Sequence, residues 1–126
     1  MPKRLFESGD PYYHRCRHTA ELLASALTLE EKEWSLSFQS RFGYEEWLQP
    51  YTSDVVRQRA RDGLRRLTVI CPGFSLDCLE SLEEIAITGR ESFLESGGEE
   101  LDYIPALNER NDHVDLLGNL ILRNAR

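Results

Sequence analysis

One segment of this sequence carries residue types that could handle a metal ion or a proton. It is the run Cys71–Glu84, which reads CPGFSLDCLESLEE and follows a strand-like stretch. At about 100° per residue, a helix starting here aligns four carboxylates on one side: Asp77, Glu80, Glu84 and Glu91. Carboxylates bind hard cations and accept protons. Periodicity alone favours a solvated helix face, and the functional alternative requires a second domain to cover this face.

The pair His14 and His18 is a second candidate, because an i, i+4 spacing on one helix can clasp a metal. The buried face of that helix is predicted to comprise Cys16, Ala20, Leu23 and Leu27. Both histidines point away from this face, and no third ligand is suggested nearby. A surface pair is therefore predicted, and His113 is expected to be exposed as well.

A third group is aromatic and polar, and its two segments read QSRF (39–42) and EEWLQPYT (45–52). Trp47 lies in a loop bounded by proline, so it either fills a packing gap or forms one wall of a pocket for a flat aromatic ligand. Arg41 could bind a ligand carboxylate or form an internal salt bridge. Residue type and spacing leave both alternatives open.

These side chains depend on secondary-structure elements that alternate along the chain. The pattern predicts helices over about 10–27, 53–62, 76–95 and 113–123, and strands over 34–38, 66–71 and 101–104. This order is typical of an α/β domain, a parallel sheet flanked by helices, formed by residues 1–126 as one unit. Three loops, 39–43, 72–75 and 105–108, then leave the carboxyl edge of the sheet, where such folds bind ligands.

Composition excludes several classes of function. The 126 residues include 15 Lys and Arg against 22 Asp and Glu, a net charge of −7 that argues against a nucleic-acid surface. No apolar stretch approaches the roughly 20 residues of a membrane span, and the three cysteines favour a reducing, cytoplasmic setting. The motifs GxGxxG, GxxxxGK[ST], GxSxG, HExxH and CxxC are absent.

The sequence resembles bacterial ferrochelatase in a series of ordered motifs that covers nearly the whole chain. They read PKR (2–4), GDPY (9–12), FQSRFG (38–43), WLQPYT (47–52), CPGF (71–74), DCLE (77–80), LEE (82–84) and YIPALN (103–108). The resemblance implies the second of two similar Rossmann-like halves, with a porphyrin in the cleft between them. It implies a lyase-class reaction, the insertion of Fe²⁺ into protoporphyrin IX that completes protohaem.

The resemblance also implies roles for individual residues. Glu80 matches a carboxylate implicated in iron binding or proton handling, and Glu84 matches the next acidic residue toward the metal. Trp47 and Phe74 match aromatic residues of the porphyrin pocket, and Arg41 and Gln39 are assigned to the substrate with them. Fe²⁺ is then a substrate. No tightly bound cofactor and no iron–sulfur cluster are expected, because three cysteines cannot supply the usual four cluster ligands.

Two departures from the family pattern qualify this interpretation. The family's metal-site histidine lies in Ser-x-His-Gly-x-Pro, of which only the last two positions remain, as Met1-Pro2. The N-terminal half is thus an expected partner, and the isolated chain is expected to be inactive. Cys78 stands where some relatives carry histidine. The alternatives are a non-catalytic porphyrin- or metal-binding module, or a related chelatase for another metal or tetrapyrrole.

Overall fold

Strands β1 (Arg66–Ile70) and β2 (Glu100–Ile104) pair in parallel, in a computed structural model that describes residues 1–125. Their register places Leu67 beside Leu101. The helices are α1 (Lys3–Glu7), α2 (Tyr12–Ala26), α3 (Thr52–Arg61), α4 (Leu79–Ser81), α5 (Arg90–Glu95) and α6 (Asn111–Asn124), with a short 3₁₀ turn at Glu31–Glu33. The predicted α/β class, a parallel sheet flanked by helices, is confirmed.

The core lies between the sheet and helices α3 and α5. Its buried members are Val56 and Ala60 of α3, Phe93 of α5 and Leu101 of β2, and Leu67 and Val69 pack against them. Gly98 approaches this core so closely that an added Cβ would overlap the Phe93 ring. The connection from α5 to β2 therefore requires glycine at this position.

The segment 34–38 is extended, but it forms no strand. Its described main-chain hydrogen bonds lie at Phe38, where the amide donates to the Pro50 carbonyl at 2.8 Å and the carbonyl accepts from Thr52 at 2.9 Å. A single bridge therefore pairs Phe38 with Tyr51. The predicted third strand is wrong because a strand requires a neighbour along its length, and side-chain alternation says nothing about that neighbour.

The predicted long helix consists of three consecutive pieces. Between α4 and α5 lies a π-helical segment, Leu82–Gly89, whose wider turns carry i→i+5 hydrogen bonds. The buried residues are consequently spaced by four: Ser81, Ile85, Gly89 and Phe93. A helix with 100° per residue would place Leu79 and Leu82 on the same face as Phe93, against the sheet, but they are 79% and 47% exposed. A 100° rotation per residue does not apply across a π-helical turn.

Helix α2 matches its predicted packing in part. Cys16, Ala20 and Leu23 are partly buried and His14 and His18 are exposed, as predicted, whereas Leu27 is 68% exposed. Across residues 1–125, the helices are too short or too polar for any of them to cross a bilayer.

Candidate functional site

The Gln39 side chain joins the ends of two predicted loops to the carboxylate-bearing helix. The Cys71 thiol, just after β1, donates to the Gln39 Oε1 at 3.0 Å. The Gln39 Nε2 donates to the main-chain carbonyl of Glu80 at 2.5 Å. The predicted convergence of loops at the carboxyl edge of the sheet is therefore observed, and both polar atoms of the Gln39 amide are used within the protein.

Ser40 holds the carboxylate of Glu84. Its main-chain N–H lies 2.9 and 3.2 Å from the two Glu84 oxygens, and its hydroxyl donates to one of them at 3.3 Å. Ser40 has φ 62°, the left-handed conformation that non-glycine residues rarely adopt. This conformation directs both donors of Ser40 toward the helix, so that Glu84 is fixed to the 39–43 loop.

Glu80, by contrast, has a solvent-exposed side chain. The pKa of its carboxyl is lowered, first by the nearby Cys78 thiol and then by its own main-chain N–H. Glu80 is therefore ionised at neutral pH, with its carboxylate open to a ligand. The Cys71 thiol differs from it, because burial raises its pKa to about 11 and keeps it protonated.

Asp77 faces inward, toward the loop that follows β2, although the helical pattern placed it in the carboxylate row. Its carboxylate accepts hydrogen bonds from the Tyr103 hydroxyl at 2.6 Å and the Asn108 amide at 2.8 Å. Two further donors are the Ser81 hydroxyl at 3.0 Å and the Ala106 N–H at 3.2 Å. These donors, Asn108 first, lower the pKa of Asp77 to about 2. Desolvation and the bond to Asp77 raise the pKa of Tyr103 to about 12.

Asn108 and His113 extend this network toward α6. Asn108, at φ 47°, accepts from the Asp77 N–H at 2.9 Å and donates its own N–H to the Ser75 carbonyl at 3.1 Å. The Asn108 carbonyl lies 2.8 Å from His113 Nδ1. The expectation that His113 is exposed is wrong. It is only 5% exposed, because this hydrogen bond seats the first turn of α6 against the loop.

A cavity of about 150 Å³ lies beside Glu84 and includes three of the predicted site residues, Gln39, Arg41 and Glu84, in its walls. Arg57 lines it as well. The Arg41 guanidinium stands 5.0 Å from the centre of the Tyr51 ring, a cation–π contact that orients it. This volume is below the roughly 300–1,000 Å³ of ordinary small-molecule pockets, so the cavity can take a ligand's edge but cannot enclose a macrocycle.

The two predicted aromatic walls lie elsewhere. Trp47 pairs with Pro2 through a bridge, and its main-chain N–H and carbonyl lie 3.4 Å from the Tyr51 hydroxyl. Its indole Nε1 is buried and has no hydrogen-bond partner among the described residues. Phe74 closes a turn with its N–H on the Cys71 carbonyl at 3.1 Å. Within residues 1–125, neither ring lines the cavity beside Glu84.

The metal-binding role predicted for Glu80 is not tested by this geometry. In the part of the chain that the structure describes, no three His, Cys, Asp or Glu side chains are grouped to hold a metal ion. Sequence reasoning missed the residues that orient the carboxylates: Ser40, Ser81, Tyr103 and Asn108. Two signals could have found three of them: Ser40 and Asn108 lie in loops expected at the carboxyl edge of the sheet, and Ser40, Tyr103 and Asn108 lie in the motifs FQSRFG and YIPALN.

One protein family and several known proteins are similar in sequence to this chain. The family model described as Ferrochelatase matches residues 1–125. The chain is 52% identical to proteins named Ferrochelatase from Aeromonas hydrophila, Nitrosococcus oceani and Thioalkalivibrio sulfidiphilus, and the alignments cover 98%, 96% and 100% of this chain. They cover 38%, 33% and 34% of those proteins. The chain thus spans about a third of the length of the curated relatives it matches.

Proposed function

Because this chain belongs to the ferrochelatase family, we propose that it supplies the carboxylate side of a site that inserts Fe²⁺ into protoporphyrin IX. The observation that carries this proposal is the arrangement of two carboxylates one helical turn apart. Glu80 is open to solvent, and Glu84 is fixed by Ser40 beside a cavity with arginines in its walls. The complete reaction belongs to a protein of the relatives' length.

The chemistry sets two requirements for such a site. Fe²⁺ replaces the two pyrrole N–H protons of the porphyrin, so each turnover takes up one dication and releases two protons. The incoming ion needs oxygen ligands that release it again, which carboxylates provide better than thiolates. The protons need an acceptor beside the macrocycle.

Glu80 meets the first requirement better than the second. The lowered pKa keeps its carboxylate charged and ready to contact the cation, but it also makes Glu80 a weak proton acceptor at neutral pH. We therefore assign Glu80 to ion contact in this arrangement. Its place is set from two directions, by Gln39 at its main-chain carbonyl and by the adjacent Ser81.

Glu84 serves as a fixed negative charge behind Glu80. The Ser40 donors occupy part of the hydrogen-bonding capacity of its carboxylate, which has about four lone-pair sites, and leave the rest for a passing cation. The exposed carboxylate of Glu80 and the fixed carboxylate of Glu84 can bind an ion from solvent in succession and transfer it toward the macrocycle. The proton acceptor is then water or a group outside this chain.

The surface proposed to bind the porphyrin is open. The described cavity accepts an edge only, so the macrocycle must lie across open surface, where Arg41 can meet a propionate carboxylate. Arg57, in the same wall, is paired with Asp54 at 2.6 Å. Trp47 and Phe74 remain proposed aromatic contacts for the ring. The three free cysteines fit the cytoplasmic location proposed for the reaction, which cell fractionation would test.

The proposal can be tested in a chimera in which this sequence replaces the matching segment of the Aeromonas hydrophila protein. Anaerobic assays with Fe²⁺ and protoporphyrin IX should show a new haem absorbance. Glu80→Gln should lower kcat by roughly 10²–10³, the usual loss when one electrostatic contact to the reacting charge is removed. Glu91→Gln is the matched control, because Glu91 is exposed and lies further along the same run of helix.

Two outcomes would contradict the proposal. Undiminished turnover by the Glu80→Gln chimera would remove Glu80 from the reaction. Iron insertion by the isolated 126-residue chain would show that no further residues are needed, whereas we expect that chain to be inactive. A Soret titration of the isolated chain shows separately whether it binds porphyrin without turnover, the result expected of a binding module.

A further inference from the structure

We propose that Asp77 is a positioning residue for Glu80, acting through a reciprocal pair of hydrogen bonds with Asn108. This inference deepens the proposed function and rests on it only where iron insertion is the readout. Asp77 N–H donates to the Asn108 Oδ1 at 2.9 Å, and the Asn108 Nδ2 donates back to the Asp77 Oδ2 at 2.8 Å. The pair joins the turn before α4 to the loop after β2.

The Asp77 carboxylate is engaged by donors of the protein itself. Tyr103, Ser81 and Ala106 donate to its Oδ1, and Asn108 donates to its Oδ2. Both oxygens therefore belong to an internal network, and of the roughly four lone-pair sites of a carboxylate only one, on Oδ2, is left. Asp77 is thus set apart from Glu80, whose side chain is exposed.

The connection from Asp77 to Glu80 runs through Ser81. Ser81 is fully buried, and its hydroxyl contacts the Asp77 carboxylate at 3.0 Å and accepts from the Cys78 N–H, also at 3.0 Å. Because Ser81 follows Glu80 directly in the chain, fixing Ser81 fixes the main chain of Glu80 from one side. The Gln39 amide holds its carbonyl from the other.

The reciprocity of the pair makes the proposal testable by exchange. In Asp77→Asn, the amide NH₂ of residue 77 faces the amide NH₂ of Asn108, so two donors meet without an acceptor between them. In Asn108→Asp, two carboxylates face each other, and their negative charges repel. The double variant Asp77→Asn/Asn108→Asp restores one acceptor opposite each donor. The position-77 side chain keeps an oxygen for Tyr103, Ser81 and Ala106, while its negative charge moves to position 108.

In the chimera described above, each single variant should lower kcat about 10–100-fold, since displacements near 1 Å cost up to about 10². KM for porphyrin should change less than about threefold. The double variant should recover kcat to within about threefold of the parent. Loss of activity in the double variant equal to that in Asp77→Asn would show that the charge at position 77 is needed itself. Unchanged kcat in both single variants would show that the pair only stabilises the fold; either result overturns the proposal.

Hydrogen exchange on the 126-residue chain tests positioning without any iron chemistry. The main-chain N–H of Ser81 and Leu82 should exchange at least tenfold faster in each single variant and return to the parental rate in the double variant. Exchange in β2 serves as the reference for global stability. Parental exchange of Ser81 and Leu82 in the single variants would contradict the proposal even if the chimera were active. An inactive parent chimera with the predicted exchange pattern would count against the proposed function alone.

Discussion

Removal of the Glu84 side chain should detach the 39–43 loop from the helix while leaving the core intact. In Glu84→Ala the Ser40 N–H and hydroxyl lose their acceptor, and both donors are partly buried. Ser40 would also lose the interaction that holds it in the left-handed conformation at φ 62°. The expected consequence is a less stable chain with a mobile loop.

The magnitude follows from the contacts. Hydrogen bonds to charged groups contribute about 1.5–3 kcal/mol, and the better of the two donors lies 2.9 Å from the carboxylate. The hydroxyl at 3.3 Å adds little, and relief of backbone strain at Ser40 offsets part of the loss. We expect the free energy of unfolding to fall by about 2 kcal/mol, which lowers the Tm of a domain of this size by about 5–10 °C.

Urea and thermal unfolding of the 126-residue chain, followed by circular dichroism, measure this change. Glu91→Ala is the control, since it removes the same charge from a nearby exposed position, and surface changes of this kind stay within about 0.5 kcal/mol. Ser40→Gly should cost less than Glu84→Ala, because glycine tolerates the positive φ and retains the N–H donor. Equal losses in Glu84→Ala and Glu91→Ala would refute the Ser40–Glu84 contact as a source of stability.

Three further predictions concern pH, thiol reactivity and packing. The folded-state pKa of Asp77, about 2, lies below the ordinary 3.8, so its contribution to stability is present above about pH 4 and is lost as the pH falls toward 2; urea midpoints should show this decline, and Asp77→Asn should flatten it. The pKa of Cys71 is about 11, so its thiolate fraction at pH 8 is roughly 200-fold below that of a free cysteine. Alkylation of Cys71 by iodoacetamide should be slower by a similar factor, which mass spectrometry can measure. Gly98→Ala should destabilise the chain by about 1–3 kcal/mol, because the added methyl group overlaps Phe93. Gly118→Ala, in open space on α6, should stabilise the chain by up to about 1 kcal/mol. Thermal melts that change in the same direction for both variants would contradict this packing.

Local patterns in the sequence predicted the helices and the paired strands well. Helix α3 ends at Arg61, next to the predicted end at residue 62, and is followed by Gly63 at φ 93°. Strands β1 and β2 pair in parallel with helical segments between them. These features depend on neighbouring residues: hydrophobic periodicity, capping groups and the conformational freedom of glycine. The same patterns failed at 34–38 and at the π-helical segment, where hydrogen-bond partners and turn width decide the structure.

The sequence by itself determined the two paired strands and the main helices beside them, the edge of the sheet at which polar loops gather and the presence of Glu80 and Glu84 on one helical run. Only the tertiary structure decided what each carboxylate does. Asp77 turns inward because the Tyr103 hydroxyl, 26 residues away in the chain, donates a hydrogen bond to it. Glu84 is held in place because Ser40, 44 residues away, donates its main-chain N–H to the carboxylate. Glu80 stays exposed because Gln39 binds its main-chain carbonyl, and the groups that act on its carboxylate, the Cys78 thiol and its own N–H, come from its own turn. Helical spacing places side chains on a common face, but donors from distant segments determine which of them remain free to meet an ion.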